Sequence, residues 1–260
     1  MAQVQLSIDG PVARLTLDQP GKKNAINRAM WQAMTTHCAQ LEADSSVKLL
    51  ILEGAGDCFS GGADLAEMQA MLSAGESLAP NYEAVDEGLT SLRNLSIPSI
   101  AVIRGACMGG GCMVVLTADF RLATQDSVFA ITPARLGLTI TPDQINDLIT
   151  LVGVSRAKEM LYTGRRVTAE DALSWGLINE ATDPTDLAAR VAALAEAILS
   201  ASQHSVRTFK RVIGEMQKGD RGDAALCEQL YREGFEGDDF KEGAAAFLER
   251  RKPRFPSNNG

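Results

Sequence analysis

Two stretches decide the fold: CFSGGADLAEM at residues 58–68 and SIPSIAVIRGACMGGGCMVVLTADFRLA at residues 96–123. In each, an apolar run ends in a glycine cluster, and a helical pattern begins directly after it. Val47 to Leu52 reads as a continuous apolar strand ahead of the first cluster, with a helix starting near Leu65. Ile100 to Ile103 reads as a short buried strand ahead of the second, with a helix from Cys112 to Thr117. Strands alternating with helices at this interval predict an α/β core. A glycine cluster at a strand-to-helix turn lets backbone approach a ligand closely, and the N–H groups that open the helix face it. Two such N–H groups converging on one oxygen would stabilise charge developing there by about 3–4 kcal/mol for each donor.

Working outward, Val4 to Ile8 and Val12 to Leu17 alternate in polarity around Asp9-Gly10-Pro11 and predict an opening β-hairpin. Met30, Met34, Cys38 and Leu41 recur at helical spacing within Ile26 to Leu41, and a further helix over Tyr82 to Leu95 stops before Pro98. Asp119 to Ala123 and Val128 to Ala130 form a third extended pair. Beyond Pro184 the pattern turns wholly helical, through Leu187 to Ile198, Val206 to Met216, Ala224 to Tyr231 and Phe240 to Arg251. That change predicts an α/β core over residues 1–200 and a helical region over 201–260 serving as a lid or a subunit interface. The closing RKPRFPSNNG, polar and with two prolines, is expected to fray.

A chain of 260 residues with 45% hydrophobic and 22% charged side chains has an ordinary globular make-up, able to bury about 70–75% of its unfolded surface without disulfide staples. The 33 acidic against 25 basic residues leave a formal charge of −8, which argues against a general nucleic-acid binder, because phosphate backbones need a basic face. Positive charge is clustered at Lys22, Lys23 and Arg28 and at Arg250, Arg251, Lys252 and Arg254. These clusters suit either a small phosphorylated ligand or plain solvated surface. The N-terminal MAQVQLSIDG lacks a secretory pattern, and no window nears the ~18 uninterrupted apolar residues of a membrane span. Five cysteines without a CxxC pair point away from disulfide frameworks and zinc ribbons, and toward reduced thiols in a cytoplasmic protein.

Tight packing of strand against helix is the structural alternative for either loop alone, while the other glycine motifs fail on spacing. Gly110 is followed by Gly111 and Cys112 where a Walker loop needs Lys and Ser or Thr, neither loop contains GxGxxG, and Cys58 stands where a nucleophile elbow at Ser60 needs glycine. His37 and His204 lie on helical patterns away from both loops and read as structural; Met30 and Met34 read as core packing. Cys107 and Cys112 border the second loop, where small residues suit packing; a nucleophilic thiol there would need a partner to lower its pKa.

CFSGGADLAEM, SIPSIAVIRGACMGGGCMVVLTADFRLA, LGL followed by LITLVG, and DDFKEGAAAFLERRKPRF, in that order and spacing, together resemble the enoyl-CoA hydratase/isomerase (crotonase) superfamily, and the likeness runs from LTLDQPGKKNAIN to the tail. The resemblance implies a ClpP/crotonase-type α/β spiral of ββα units, a C-terminal helical trimerisation region, and a homotrimer or dimer of trimers. It also implies an acyl-CoA substrate, with coenzyme A present only as part of that substrate and no separate cofactor or metal. The thioester carbonyl would sit in an oxyanion hole formed by the N–H groups of Ala63 and Gly110, with Gly109 adjoining. Ala63, Asp64 and Leu65 would line the CoA, Lys23 and Ala25 would lie near its nucleotide end, and Phe247 with the basic tail would cover it from a neighbouring subunit.

The acid–base set departs from the superfamily's pattern. Hydration of an enoyl thioester needs one group to activate water and another to protonate the α-carbon. Typical hydratases of the superfamily carry one glutamate directly after the GGGC run and a second in a later QPE-like segment. Met113 and Pro133 occupy those places here. Within LGLTITPDQIND the candidates are Thr141 and Asp143, with the Thr132 hydroxyl nearby. Asp143 is the one suited to act as a general base; its alternative reading is a helix N-cap. FAITP at 129–133 resembles the FSMTP-like segment of methylmalonyl-CoA decarboxylases, although Ala63 and Ile140 stand where that group carries a histidine and a tyrosine. Three functions stay open: a hydratase/isomerase-type lyase with a divergent acid–base set, a decarboxylase of malonyl-type thioesters, in which CO2 departure itself generates the enolate, and a non-catalytic acyl-CoA-binding or scaffold protein.

Overall fold

The computed structural model describes residues 2–219 and 222–258. Its strands are β1 (Gln3–Asp9), β2 (Val12–Asp18), β3 (Leu49–Gly54), β4 (Ser99–Ile103), β5 (Ala106–Met108), β6 (Phe120–Thr124), β7 (Val128–Ala130), β8 (Val167–Thr168) and β9 (Glu180–Thr182). Its helices are α1 (Arg28–Ala43), α2 (Leu65–Ser73), α3 (Ala79–Arg93), α4 (Gly110–Leu116), α5 (Pro142–Thr163), α6 (Ala169–Trp175), α7 (Leu187–Ser200), α8 (Gln203–Gln217), α9 (Ala224–Glu236) and α10 (Asp238–Leu248). β1 and β2 form the expected antiparallel hairpin, and β2 leads a parallel run in the sheet order β1-β2-β3-β4-β6-β9. A smaller sheet, β5-β7-β8, lies beside it.

The two sheets are linked by one repeated step. After β2, β3, β4 and β6 the chain crosses to a short extended piece in the second layer and a helix follows, whereas β9 leads directly to α7. β4 crosses to β5 and runs into α4; β6 crosses to β7 and, after a 3-10 turn at Pro133–Leu136, runs into α5. Earlier in the chain the second-layer piece shrinks to single bridges: Ser60 pairs with Cys107 after β3, and Ile26 pairs with Ala63 after β2. This is the ββα spiral of a crotonase fold. The crossing from β4 to β5 requires glycine at Gly105 (φ +54°), where a Cβ would lie 2.4 Å from the Asp57 carbonyl oxygen.

All five residues of β4 are buried because both faces of the sheet are covered, as parallel sheets require. On one face Leu15, Leu17, Leu50, Leu52, Ala101 and Ile103 join a core with Met30, Trp31, Met34, Cys38 and Leu41 of α1. On the other, Leu49, Ile51, Ile100, Val102 and Leu122 meet Leu187, Val191, Ala195 and Ile198 of α7, whose spacing is helical.

The sequence reading of the elements holds with three corrections. β3 begins two residues later than expected and extends through Gly54. The segment β8, α6 and β9 was not anticipated, since strands of two and three residues carry no periodicity. The tail does not fray through Asn258: Ser257 N–H donates to Asp239 Oδ1 (3.0 Å), its hydroxyl donates to Asp239 Oδ2, and Asn258 Nδ2 donates to the carbonyls of Leu199 and Ala201 (3.1 Å each). Asn259 and Gly260 lie outside the described residues. The helices after residue 200 are tied to the body through α8, where Lys210 Nζ donates to Asp119 Oδ2 (2.7 Å) and the Ile97 carbonyl (2.8 Å), and Arg207 donates to the Val47 carbonyl (3.0 Å). Their other faces expose Phe209, Ile213, Met216, Tyr231, Phe235 and Phe240.

Candidate active site

The first loop is gripped by a turn with two non-glycine residues in the left-handed region, Lys23 (φ +49°) and Asn24 (φ +52°). Asparagine tolerates that region because its short amide can bond locally. The buried Asn24 side chain accepts from Gln19 N–H (3.1 Å) and donates to the carbonyls of Ala55 (2.9 Å) and Cys58 (2.7 Å). Fully buried Ser60 donates its hydroxyl to the Asn24 carbonyl (2.7 Å) and accepts from Gly62 N–H (3.1 Å). The remaining N–H groups can be traced one by one. Ser60 N–H donates to Ala106 O (3.0 Å), Gly61 N–H to Lys23 O (2.6 Å) and Asp64 N–H to Ile26 O (3.0 Å). Among residues 59–64, Ala63 N–H alone has no acceptor within the described residues, and Ala63 is exposed.

In the second loop Met108 N–H donates to Ser60 O (2.9 Å) and Gly109 N–H to Ala130 O (2.7 Å). Gly110 N–H heads α4, and the first N–H groups of a helix have no intrahelical acceptor. A Cβ on Gly110 would stand 3.7 Å from the Ala63 nitrogen and 3.2 Å from Cζ2 of the buried Trp31. The two loops thus bring the Ala63 and Gly110 main-chain N–H groups close together beside Trp31. A single oxygen placed there could accept from both, and a developing negative charge on it would be stabilised without any movement of the protein. The glycines make this approach possible: Gly62 (φ +105°) leaves only 3.0 Å between a Cβ position and Met108 O, and a Cβ at Gly111 would lie 2.4 Å from Ser60 Cβ.

No carboxylate stands at the two positions where one was sought. Met113 is buried in α4, and Pro133 opens the 3-10 turn. Thr132 caps that turn without using its side chain, and its Oγ1 lies 3.2 Å from where a Gly109 Cβ would be, so the hydroxyl stands over the second loop. The N-cap of α5 is Thr141, not Asp143. Thr141 Oγ1 accepts from Gln144 N–H (3.4 Å) while Gln144 Oε1 accepts from Thr141 N–H (3.3 Å), a capping box entered through Pro142. Asp143 is the exposed second residue of the helix, one turn before Asp147. Burial pushes the Asp147 carboxyl above its ordinary value, the bidentate Arg93 guanidinium pulls it back, and Asp143 adds to the rise. Cys107 and Cys112 are fully buried, and burial followed by the Cys112 contact pushes the Cys107 thiol well above its ordinary value. Such a thiol stays protonated and is no nucleophile.

Lys23, Ala25, Ala63, Asp64, Leu65, Gly109 and Gly110 lie together in or next to the bonded loops, with Leu65 exposed at the head of α2. Asp143 sits on the first turn of α5, and Phe247, 83% exposed, at the end of α10. Asn24, Ser60 and Trp31 were not singled out from the sequence. Asn24 had a signal, an asparagine closing a Pro-Gly turn, whereas Ser60 and Trp31 act through partners distant along the chain.

The profile of the enoyl-CoA hydratase/isomerase family matches residues 7–258. The chain is 34% identical over 249 residues to a crotonyl-CoA hydratase of Syntrophomonas wolfei, covering 95% of each chain, and 31% identical over 252 residues to a short-chain-enoyl-CoA hydratase of Clostridium acetobutylicum, covering 96% of this chain and 95% of the relative. Its fold superposes on the crystal structure of an enoyl-CoA hydratase/carnithine racemase from Magnetospirillum magneticum with a TM-score of 0.91 at 29% identity, covering 99% and 96% of the two chains. By fold, by loop geometry and by likeness over nearly its whole length, the chain belongs to the enoyl-CoA hydratase/isomerase family.

Proposed function

We propose that the protein is an acyl-CoA thioester enzyme that stabilises a thioester enolate between the N–H groups of Ala63 and Gly110, and that it does so without the paired carboxylates of ordinary hydration. The observation that carries this reading is the pair of main-chain N–H groups brought close together by the two loops, beside positions filled by Met113 and Pro133. Abstraction of an α-proton leaves negative charge on the thioester oxygen, and two fixed donors at that oxygen lower the barrier by an amount on the order of 3–4 kcal/mol each. Asp143 is the proposed proton carrier. Lys23 and Ala25 lie toward the nucleotide end of the CoA, Ala63, Asp64 and Leu65 form the segment along it, and Gly109 adjoins the thioester. Coenzyme A enters as part of the substrate, and no separate cofactor or metal is invoked.

The same reading has the protein working in the cytoplasm as a homotrimer or dimer of trimers, with 1–200 as the acyl-CoA core and 201–260 as the oligomerisation region. The exposed aromatic and aliphatic side chains of α8 to α10 support self-association, and Phe247 would reach a neighbour's CoA. Nucleic acid and membrane are not partners in this reading, given the charge of −8; no helix among the described residues is long and apolar enough to cross a membrane.

The test is incubation with crotonyl-CoA and butyryl-CoA in D2O, followed by mass spectrometry of the acyl group. Deuterium at the α-carbon supports the reading, and Asp143→Asn should then abolish it; unchanged exchange in that variant removes Asp143 from the mechanism. Added water would show that hydration survives without the usual glutamates. A second reading, decarboxylation of a malonyl-type thioester, is favoured by the Thr132 hydroxyl, which caps nothing and stands beside an otherwise apolar stretch. There the C–C bonding pair passes into the enolate as CO2 leaves, so no base is required. Release of CO2 from malonyl-, methylmalonyl- or ethylmalonyl-CoA decides it, and tight binding with none of these reactions would mark a non-catalytic scaffold.

A further inference from the structure

Asp64 follows the Ala63 donor directly and is 5% exposed. Both of its carboxylate oxygens are engaged within the protein. Oδ1 accepts from Glu67 N–H (3.3 Å) and so caps α2, while Oδ2 accepts from Gln19 Nε2 (2.8 Å) and Lys22 Nζ (2.7 Å). Its own N–H donates to the Ile26 carbonyl (3.0 Å). A carboxylate bonded on both oxygens and closed off from solvent has little left to offer a ligand.

The helix it caps is unusual in its attachment. α2 fully buries none of its residues, and only Glu67, Met68 and Met71 are half-buried, so packing holds it lightly. Its other tether is Glu67, whose Oε2 accepts from Arg28 N–H (2.9 Å). The peptide that presents Ala63 N–H is held by the Ile26 N–H, which donates to its Gly62 carbonyl (2.7 Å), and is flanked by two side-chain anchors: on one side the Ser60 hydroxyl bonded to Gly62 N–H, on the other the Asp64 carboxylate bonded to Lys22, Gln19 and the start of α2. Without the second anchor, the peptide would be joined to a helix tethered through Glu67 alone among its side-chain bonds to the body, and would lose its side-chain hold on that side. Oxyanion stabilisation depends on donors aimed in advance at the oxygen, so a freed peptide would still allow binding but lose polarising power.

We infer that Asp64, clamped by Lys22 and Gln19, is a positioning residue that aims the Ala63 N–H at the substrate oxygen. The inference rests on the enolate reading above for the identity of that oxygen, and the test separates the two. The readout is the infrared band of butyryl-CoA carrying a 13C-labelled thioester carbonyl, measured free and bound, with Kd determined alongside. In the wild-type protein the bound band should move to lower wavenumber, as two donors polarise the carbonyl. In Asp64→Ala the shift should collapse toward the free value, with Kd changed by less than about threefold and α-deuteration slowed by about tenfold or more, a sizeable part of the effect of losing one donor. Asp64→Asn keeps the Oδ1 cap and should restore most of the shift, and Lys22→Met should fall between. A full shift in Asp64→Ala overturns the positioning role, as does lost affinity with an undiminished shift in the bound fraction, which would make Asp64 a ligand contact. If Asp64→Ala does not fold, Asp64→Asn and Lys22→Met carry the test, and full wild-type shift and exchange in Lys22→Met would overturn the clamp. No shift in the wild-type protein would refute the oxyanion hole itself, and this role with it.

Discussion

Replacing Gly111 with alanine should destabilise the protein through a single collision whose size can be worked out. The new Cβ would lie 2.4 Å from Ser60 Cβ and 2.8 Å from Ser60 Oγ, against a comfortable carbon–carbon separation of about 3.5–4.0 Å. Over an ångström of movement is needed at a point where Ser60 is completely buried. Overpacking of this kind costs about 1–3 kcal/mol. Displacing Ser60 also strains its bonds to Asn24 O and Gly62 N–H, each worth about 1 kcal/mol. Alanine returns up to about 1 kcal/mol as a better helix former than glycine. The net is a loss of about 2–4 kcal/mol, or a fall in Tm on the order of 10 °C for a chain of this size. Urea unfolding followed by circular dichroism measures it, and Ser60→Gly, which removes both colliding atoms, should recover part of the loss in the double variant. Wild-type stability in Gly111→Ala, or strictly additive losses in the double variant, would refute the collision as the cause.

Gly110→Ala should do the reverse, leaving the fold intact, since Trp31 Cζ2 at 3.2 Å can yield, while filling the space beside the Ala63 nitrogen; steady-state assays should show turnover down by about 100-fold with little change in Tm. Lys210→Ala should cost about 1–3 kcal/mol, read by thermal unfolding, because it removes the cation from the Ile97 carbonyl and from the Asp119 carboxylate, which keeps only its Ser99 donors, and loosens α8 from the body. Burial alone would raise the Asp64 carboxyl, but the hydrogen bonds from Lys22, Gln19 and Glu67 N–H outweigh it and hold the group below its ordinary 3.8. The folded chain therefore takes up that proton less readily than the unfolded one, so this stabilisation is complete above the unfolded value and drains away as pH falls through the folded one. Urea titrations from about pH 6 to pH 3 should show a steeper loss in the wild-type protein than in Asp64→Asn. Burial pushes the Cys38 thiol up to about 12 and raises those of Cys58 and Cys107, so an aromatic disulfide reagent at mildly alkaline pH should modify Cys227 first and the buried thiols only on unfolding.

The order of strands, glycine turns and helices was legible because it rests on local physics. Only glycine serves where φ is positive and a Cβ would strike backbone, as at Gly105, and the apolar runs of β3 and β4 announce a sheet covered on both faces. The Thr141 cap is legible as well: Thr-Pro-Asp-Gln puts proline first and glutamine third in the helix, the pattern of a capping box, which makes Thr141 and not Asp143 the N-cap. What the sequence hides is pairing across distance. Ser60 bonds to Asn24 across 36 residues, Asp64 to Gln19 across 45, and Asp239 reaches Ser257 to pin a tail that composition marks as loose. β8 and β9 are too short to show a period, and exist because β7 and β6 offer them edges.

The way the proposed site is built would let its reaction differ from ordinary hydration while the fold stays the same. Both donors are main-chain groups, so no side-chain substitution at Ala63 or Gly110 deletes them. What the sequence must supply is room, through Gly62, Gly109 and Gly111, and anchorage, through Asn24, Ser60 and Asp64. Acid–base chemistry has no such protection, because it resides wholly in side chains. Met113 is buried among the apolar residues of α4, where a methionine costs less than a carboxylate that would have to be desolvated, and Pro133 fits the first position of a 3-10 turn that leaves its N–H unneeded. Both replacements are therefore structurally easy, and neither disturbs the strands that aim the N–H groups. The hole selects the intermediate, and the side chains around it select how that intermediate is reached and resolved. In the function proposed for this protein, the first choice falls to the backbone of two glycine loops, and the second to the segment that runs from Thr132 to Asp143.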